Sequence, residues 1–262
     1  MRRLSLLLAF LGRLALSFAF VGRLALLLAF PVGCGGHAQP PDILLVCDDT
    51  TSARCDEQSI RKAALSFLKK PIPGGRITVL TVGCGSDEAE AILQITVPLS
   101  WGSGAAEKRR AWQEIEGRHL DDLRLRRPQR CSAIIGTIWR GSRMLQESTK
   151  PVKEMLIDSD LREASPESGL NFERAIPTPE AFVQRIRERG LLPDLRGIRV
   201  IVYHVHDDQS PDSRRWTSQQ AVALRADWAA AFKAMGVERI EFRSAAPWEE
   251  SDRTNLAWSG QQ

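Results

Sequence analysis

The sequence predicts a three-layer α/β/α sandwich built on a mostly parallel central sheet. Short apolar runs alternate along the chain with amphipathic stretches of helical period, and strands joined through helices pair in parallel with helices on both faces. Glycine and proline mark the breaks between these stretches. Two of the apolar runs also stop abruptly at acids, and open sheets of this class gather their functional groups beyond the carboxyl ends of the strands.

Taken in order, the first strand is Asp42 to Cys47. Ile60, Ala63, Ala64, Phe67 and Leu68 then recur on one face of a helix, which Pro71 to Gly75 terminates. Arg76 to Val82 and Ala91 to Val97 read as strands, and Ala105 to Arg127 as a charged stretch of helical period. A helix is expected over Ala133 to Gln146 and a strand over Lys153 to Ile157. Thr178-Pro179-Glu180 opens the next helix with a cap, a proline in the first turn and an acid near the positive end, and Gly190 closes it. Ile198 to Tyr203 is an apolar strand, Trp216 to Met235 a long amphipathic helix stopped by Gly236, and Val237 to Phe242 the last strand. The Pro247 region and Leu256 to Gln262 read as a loosely packed tail, so the domain is expected over residues 35–245, with a leader over 1–34 and a tail over 246–262.

The leader repeats itself. Arg3-Leu-Ser-Leu-Leu-Leu-Ala-Phe recurs almost unchanged from Arg13 and again from Arg23. Each apolar block is too short to span a bilayer, which takes about 20 apolar residues, and has the length of the core of a secretory signal. The last block ends in Pro31-Val32-Gly33-Cys34, which resembles the lipobox of bacterial lipoproteins, although Pro31 stands where Leu is usual. Cys34 is therefore the candidate lipidation site. The alternatives are an ordinary signal cut near Gly35 or Ala38, an uncleaved anchor, or a misassigned start codon. These readings place the chain in the cell envelope, periplasmic or tethered to the membrane.

Arg2, Arg3, Arg13 and Arg23 account for the whole net charge of +4, so beyond residue 34 the basic residues balance the 32 acids. The basic balance belongs to the leader and gives no support for nucleic-acid binding. With Cys34 set aside, Cys47, Cys55, Cys84 and Cys131 leave an even number for an oxidising compartment. Cys47 and Cys84 each end a predicted strand, so neighbouring strand ends would bring them within bridging distance. Three pairings are open, and so are free buried thiols. The absence of a paired CxxC argues against structural zinc.

The chemistry concentrates where Ile43-Leu44-Leu45-Val46 gives way to Asp48-Asp49-Thr50-Thr51-Ser52. Asp48, Thr50 and Ser52 alternate so that a tight loop turns a carboxylate and two hydroxyls toward one point, an oxygen environment suited to Mg²⁺, Mn²⁺ or Ca²⁺. The strand that ends at Asp158-Ser159-Asp160 supplies a second set of acids. Together with the element order, these motifs resemble the metal-ion-dependent adhesion site of von Willebrand factor A domains, over roughly residues 41–243. Ser159-Asp160-Leu161 stands where that family often has Thr-Asp-Gly. The resemblance implies Ser132, or Thr137 in its place, as the remaining hydroxyl ligand and Asp160 as the second acid. It further implies a protein partner whose acidic side chain completes the coordination, with no catalysis. No nucleophile elbow or phosphate loop occurs in the sequence.

Other constellations have weaker patterns. His204, His206, Asp207 and Asp208 cluster at one strand end and suit a His-Asp metal site or a general base, or simply the polar end of a strand. Asp48-Asp49-Thr50 distantly resembles the Asp-x-Asp-x-Thr of haloacid-dehalogenase-like phosphohydrolases, with Thr50 where the second Asp belongs. A metal-independent envelope binding or structural module is the third class. An exposed Trp101 near the metal face would favour a protein-binding surface.

Overall fold

Alternation along the first strand, β1 (Pro41–Cys47), sorts its side chains between two cores. Leu44 and Val46 enter one and Ile43, Leu45 and Cys47 the other, because successive side chains on a strand point to opposite faces. The computed structural model describes residues 38–48, 50, 55–69, 71–99, 104, 106, 109, 110, 113, 131–205 and 217–248. The chain divides into two units, residues 1–38 and 39–262, and the second holds every element named below. The signal or lipobox reading and Cys34 lie outside the described residues, as do Ser52, Trp101, His206, Asp207 and Asp208.

After β1 come α1 (Glu57–Lys69), β2 (Arg76–Thr81), β3 (Ala91–Thr96), α2 (Ile134–Glu147), β4 (Val152–Asp158), a small hairpin of β5 (Ala164–Ser165) and β6 (Leu170–Asn171), α3 (Pro179–Glu188), β7 (Arg199–Tyr203), α4 (Ser218–Ala234) and β8 (Ile240–Arg243). The main sheet runs β3-β2-β1-β4-β7-β8, parallel throughout except for the edge strand β3. This is the predicted three-layer α/β sandwich. Of the charged stretch 105–127, positions 106, 109, 110 and 113 are helical.

On one face, α2, α3 and α4 cover the sheet. Phe172, Phe182 and Trp228 meet edge to face with ring centroids 5.2 Å apart, a geometry favoured by the ring quadrupoles. Gly141 lets α2 settle directly on β1, since a Cβ there would overlap Leu44. On the other face, α1 buries Ile60, Ala63, Ala64, Phe67 and Leu68, the stripe its sequence predicts. Helix ends follow their local chemistry. The Thr178 hydroxyl accepts from the Ala181 N–H at 3.3 Å, and Gly190 and Gly236 take left-handed backbone at φ 68° and 87°. Helix α4 starts at Ser218, two residues past Trp216, because Thr217 and Gln220 form a reciprocal capping box.

The tail expectation needs correction at its start. Ala246 and Trp248 are buried in the α1-side core, and Trp248 packs edge to face on Tyr203 with centroids 5.3 Å apart. The chain after β8 therefore contributes to the core on this face of the sheet. The β5–β6 hairpin is a further departure, since Ala164–Ser165 and Leu170–Asn171 are too short to show a period of two.

The chain leaves β1 toward β2 and β3 on one side and later resumes with β4, β7 and β8 on the other. Crossovers therefore diverge between β1 and β4, which makes the space beyond their carboxyl ends the topological switch point of the sheet. Cys47 and Asp158 lie side by side there in register.

Candidate functional site

Asp48 is the first residue past β1, and its N–H donates to the Asp158 carbonyl at 3.0 Å, which fixes its backbone to the neighbouring strand. Its carboxylate is wholly buried. Oδ1 accepts from the Thr50 hydroxyl at 2.7 Å and the Thr50 N–H at 3.2 Å. Oδ2 accepts from the Ser159 hydroxyl at 2.6 Å and the Ser132 hydroxyl at 3.3 Å. Hydroxyls from three separate loops thus converge on one carboxylate. Burial is the largest cause pushing Asp48 up to about 7, and the charge of Asp160 adds to it, against the hydrogen bonds from Ser159 and Thr50.

Ser132 reaches this point because it forms an antiparallel bridge with Ala164, through N–H to carbonyl bonds of 3.0 and 2.9 Å. The unpredicted hairpin therefore holds a predicted site residue. Thr137, the alternative to Ser132, lies one turn inside α2 and donates its hydroxyl to the Ala133 carbonyl at 3.0 Å. Its proton goes to the helix backbone and not to Asp48.

The second acid sits on the turn Ser159–Arg162. Ser159 Oγ accepts from the Leu161 N–H at 2.9 Å, and Asp160 Oδ1 from the Arg162 N–H at 3.0 Å. Asp160 Oδ2 is buried and accepts no hydrogen bond among the described residues. Leu161 adopts φ 62°, the left-handed region in which glycine carries no steric penalty. Its side chain is fully buried, and its carbonyl accepts from Trp228 Nε1 at 2.9 Å, so core packing offsets the strain where Thr-Asp-Gly motifs carry glycine. Ser159 was not singled out as a site residue by spacing. Its position between two acids at a strand end was the available signal.

Two disulfides flank the site. Cys47 pairs with Cys55 at a Cα separation of 5.3 Å and Cys84 with Cys131 at 5.1 Å. The expected proximity of Cys47 to Cys84 gives way to these pairings because each thiol meets the cysteine of an adjoining loop. Cys47 immediately precedes Asp48 and Cys131 immediately precedes Ser132, so each bridge restrains a residue that supplies the cluster.

A second buried carboxylate lies nearby in sequence. Glu163 Oε1 accepts from the Ser165 and Ser168 hydroxyls at 2.6 and 2.8 Å, and Oε2 from the Ile135 N–H at 3.0 Å, at the start of α2. It serves as the cap that Ala133, which offers no side-chain bond, does not supply. Burial pushes it up to about 7 against these hydrogen bonds.

Of the histidine cluster, His204 is described. It is buried, takes left-handed backbone at φ 61°, and places Nδ1 2.6 Å from Asp158 Oδ1. Asp158, the competing acid at the end of β4, is thus engaged with His204 through Oδ1.

Chemically, the cluster offers hard oxygens only. A hydroxyl that donates its proton to Asp48 retains lone pairs for a cation, and Asp160, whose Oδ2 accepts no hydrogen bond among the described residues, sets a second carboxylate beside buried Asp48. Among the described residues no three His, Cys, Asp or Glu side chains group together, so the donors would be two carboxylates and hydroxyls.

No protein-family model matches the chain, and no curated protein matches it. Among solved structures it is similar to the PilB minor pilin from Streptococcus sanguinis, with a TM-score of 0.44 and 14% identity over 80% of this chain and 58% of that one. The D319A mutant of that pilin gives 0.41 and 16%, over 84% and 59%. The conserved hypothetical protein BatB from Bacteroides thetaiotaomicron gives 0.37 and 12%, over 80% and 94%. This chain spans less than two thirds of the pilin's length.

Proposed function

We propose that this protein is a von Willebrand A-like envelope module that binds a divalent cation beyond β1 and β4 and uses it to engage an acidic group on a protein partner. The observation that carries the reading is the convergence of the Thr50, Ser132 and Ser159 hydroxyls on buried Asp48, with Asp160 alongside, at the topological switch point. Asp48, Thr50, Ser132 and Asp160 would hold the ion, and Ser52 joins them on the sequence motif. Ser159 orients Asp48. The ion supplies an electrophilic position for a carboxylate from outside the chain. The protein's own groups preset the hydroxyl directions, and the flanking disulfides restrain two of the three loops.

An oxidising, extracytoplasmic setting is supported by both disulfides and by the signal-like leader. Tethering through Cys34 belongs to the same reading. It is tested by labelling with a lipid precursor, with loss of label expected in Cys34→Ala.

Calorimetric titration of Mg²⁺ and Mn²⁺ tests the ion site, with Asp48→Ala and Asp160→Ala alongside. Saturable binding that both substitutions abolish is expected. A folded wild-type protein that binds neither ion would leave the sandwich standing and sink the cation mechanism.

A further inference from the structure

Asp160 already has a cation beside it. Arg162 Nε lies 3.5 Å from Asp160 Oδ2, with the two side chains only 10% and 12% exposed. The contact is an ion pair and not a hydrogen bond, since that oxygen accepts none. The geometry is built in by the turn. The Arg162 N–H holds Oδ1 at 3.0 Å, and left-handed Leu161 brings residues 160 and 162 round to the same side.

We propose that Arg162 is a resident counter-cation that competes with the divalent ion for Asp160 and so sets the affinity of the site. This rests on the cation reading above. A guanidinium stays charged at any working pH, so its effect is permanent and electrostatic. Without an ion it offsets the mutual repulsion of Asp48 and Asp160 in a largely buried setting, where an unpaired charge is costly. Once a divalent ion arrives it repels that ion, yet it leaves the Oδ2 lone pairs available because it makes no hydrogen bond to them. The same charge favours an incoming carboxylate, so filling of the site is coupled to the partner: each raises the affinity of the other by the same factor.

The prediction is a split that a merely structural arginine would not produce. In the full chain, Arg162→Gln lowers the melting temperature in the presence of a chelator, while calorimetry gives Mg²⁺ binding about tenfold tighter than wild type, as expected for loss of one nearby like charge. Arg162→Lys, which keeps the charge, stays within threefold of wild type and guards against loss of folding in the glutamine variant. Unchanged or weaker Mg²⁺ binding by folded Arg162→Gln, with wild type binding normally, overturns the proposal alone. Absence of binding in wild type and in both variants overturns the cation reading together with it.

Discussion

Asp48 and Glu163 are both wholly buried carboxylates ringed by hydroxyls, and burial pushes both up to about 7, yet their surroundings suit them to different work. Glu163 is satisfied inside the chain. Its oxygens take two serine hydroxyls and an amide at the start of α2, so it closes the network it belongs to. Asp48 shares its site with a second acid, and one oxygen of that acid accepts no hydrogen bond. On the cation reading proposed above, a hydroxyl-ringed carboxylate is not a site by itself. An adjacent carboxylate with spare acceptor capacity, placed where the crossovers diverge, is what separates the two clusters.

The largest expected effect is on stability against pH. An acid whose pKa is raised on folding contributes stability that is present below its unfolded value and is lost as pH rises through the folded one. For Glu163 that window runs from 4.5 to about 7, and the loss is about 3 kcal/mol. Asp48 loses stability with the same sign between 3.8 and about 7. Denaturant unfolding in chelator should therefore show stability falling across this range. Saturating Mg²⁺ should remove the Asp48 share and leave that of Glu163. Identical slopes with and without ion would erase the distinction between the clusters.

Next in size is Asp48→Asn, which should weaken Mg²⁺ binding at least about 100-fold, roughly 2.7 kcal/mol. Because it removes a buried charge next to Asp160, its ion-free melting temperature at pH 8 should hold or rise. A marked drop in melting temperature would make Asp48 structural in the manner of Glu163.

Ser132→Ala should cost about tenfold in Mg²⁺ affinity, about 1.4 kcal/mol, whereas Thr137→Ala should leave affinity unchanged because its hydroxyl is directed to the Ala133 carbonyl within α2, while that of Ser132 is directed to Asp48. Equal losses would show that the bridge from Ser132 to Ala164 does not orient a ligand.

The smallest effect on the ion belongs to Glu163→Gln. An amide oxygen can still accept the helix N–H groups, so Mg²⁺ affinity should stay within about threefold, under 0.7 kcal/mol. The pH slope assigned to Glu163 should disappear from the unfolding curves. A large fall in ion affinity would tie the two clusters into one functional unit.

The layer architecture was legible in the sequence because period and punctuation are local properties. The α1 stripe, the Thr178 cap, Gly190, Gly236 and the apolar run before Asp48 act within a turn or a strand, and each formed where expected. The meeting of Asp48, Ser132, Ser159 and Asp160 was decided by tertiary structure. Ser132 and Asp48 are 84 residues apart, and they meet through a hairpin too short to leave a periodic signal. The cysteine pairing was equally nonlocal, since spacing leaves three choices and loop geometry takes one. Leu161 could take left-handed backbone because Trp228 and the surrounding core hold it there, and Trp248 left the expected tail because it packs on Tyr203 in the core. The sequence determined which residues could form strands, helices and oxygen-rich loops. Burial and chain crossing decided which of those oxygens share a site.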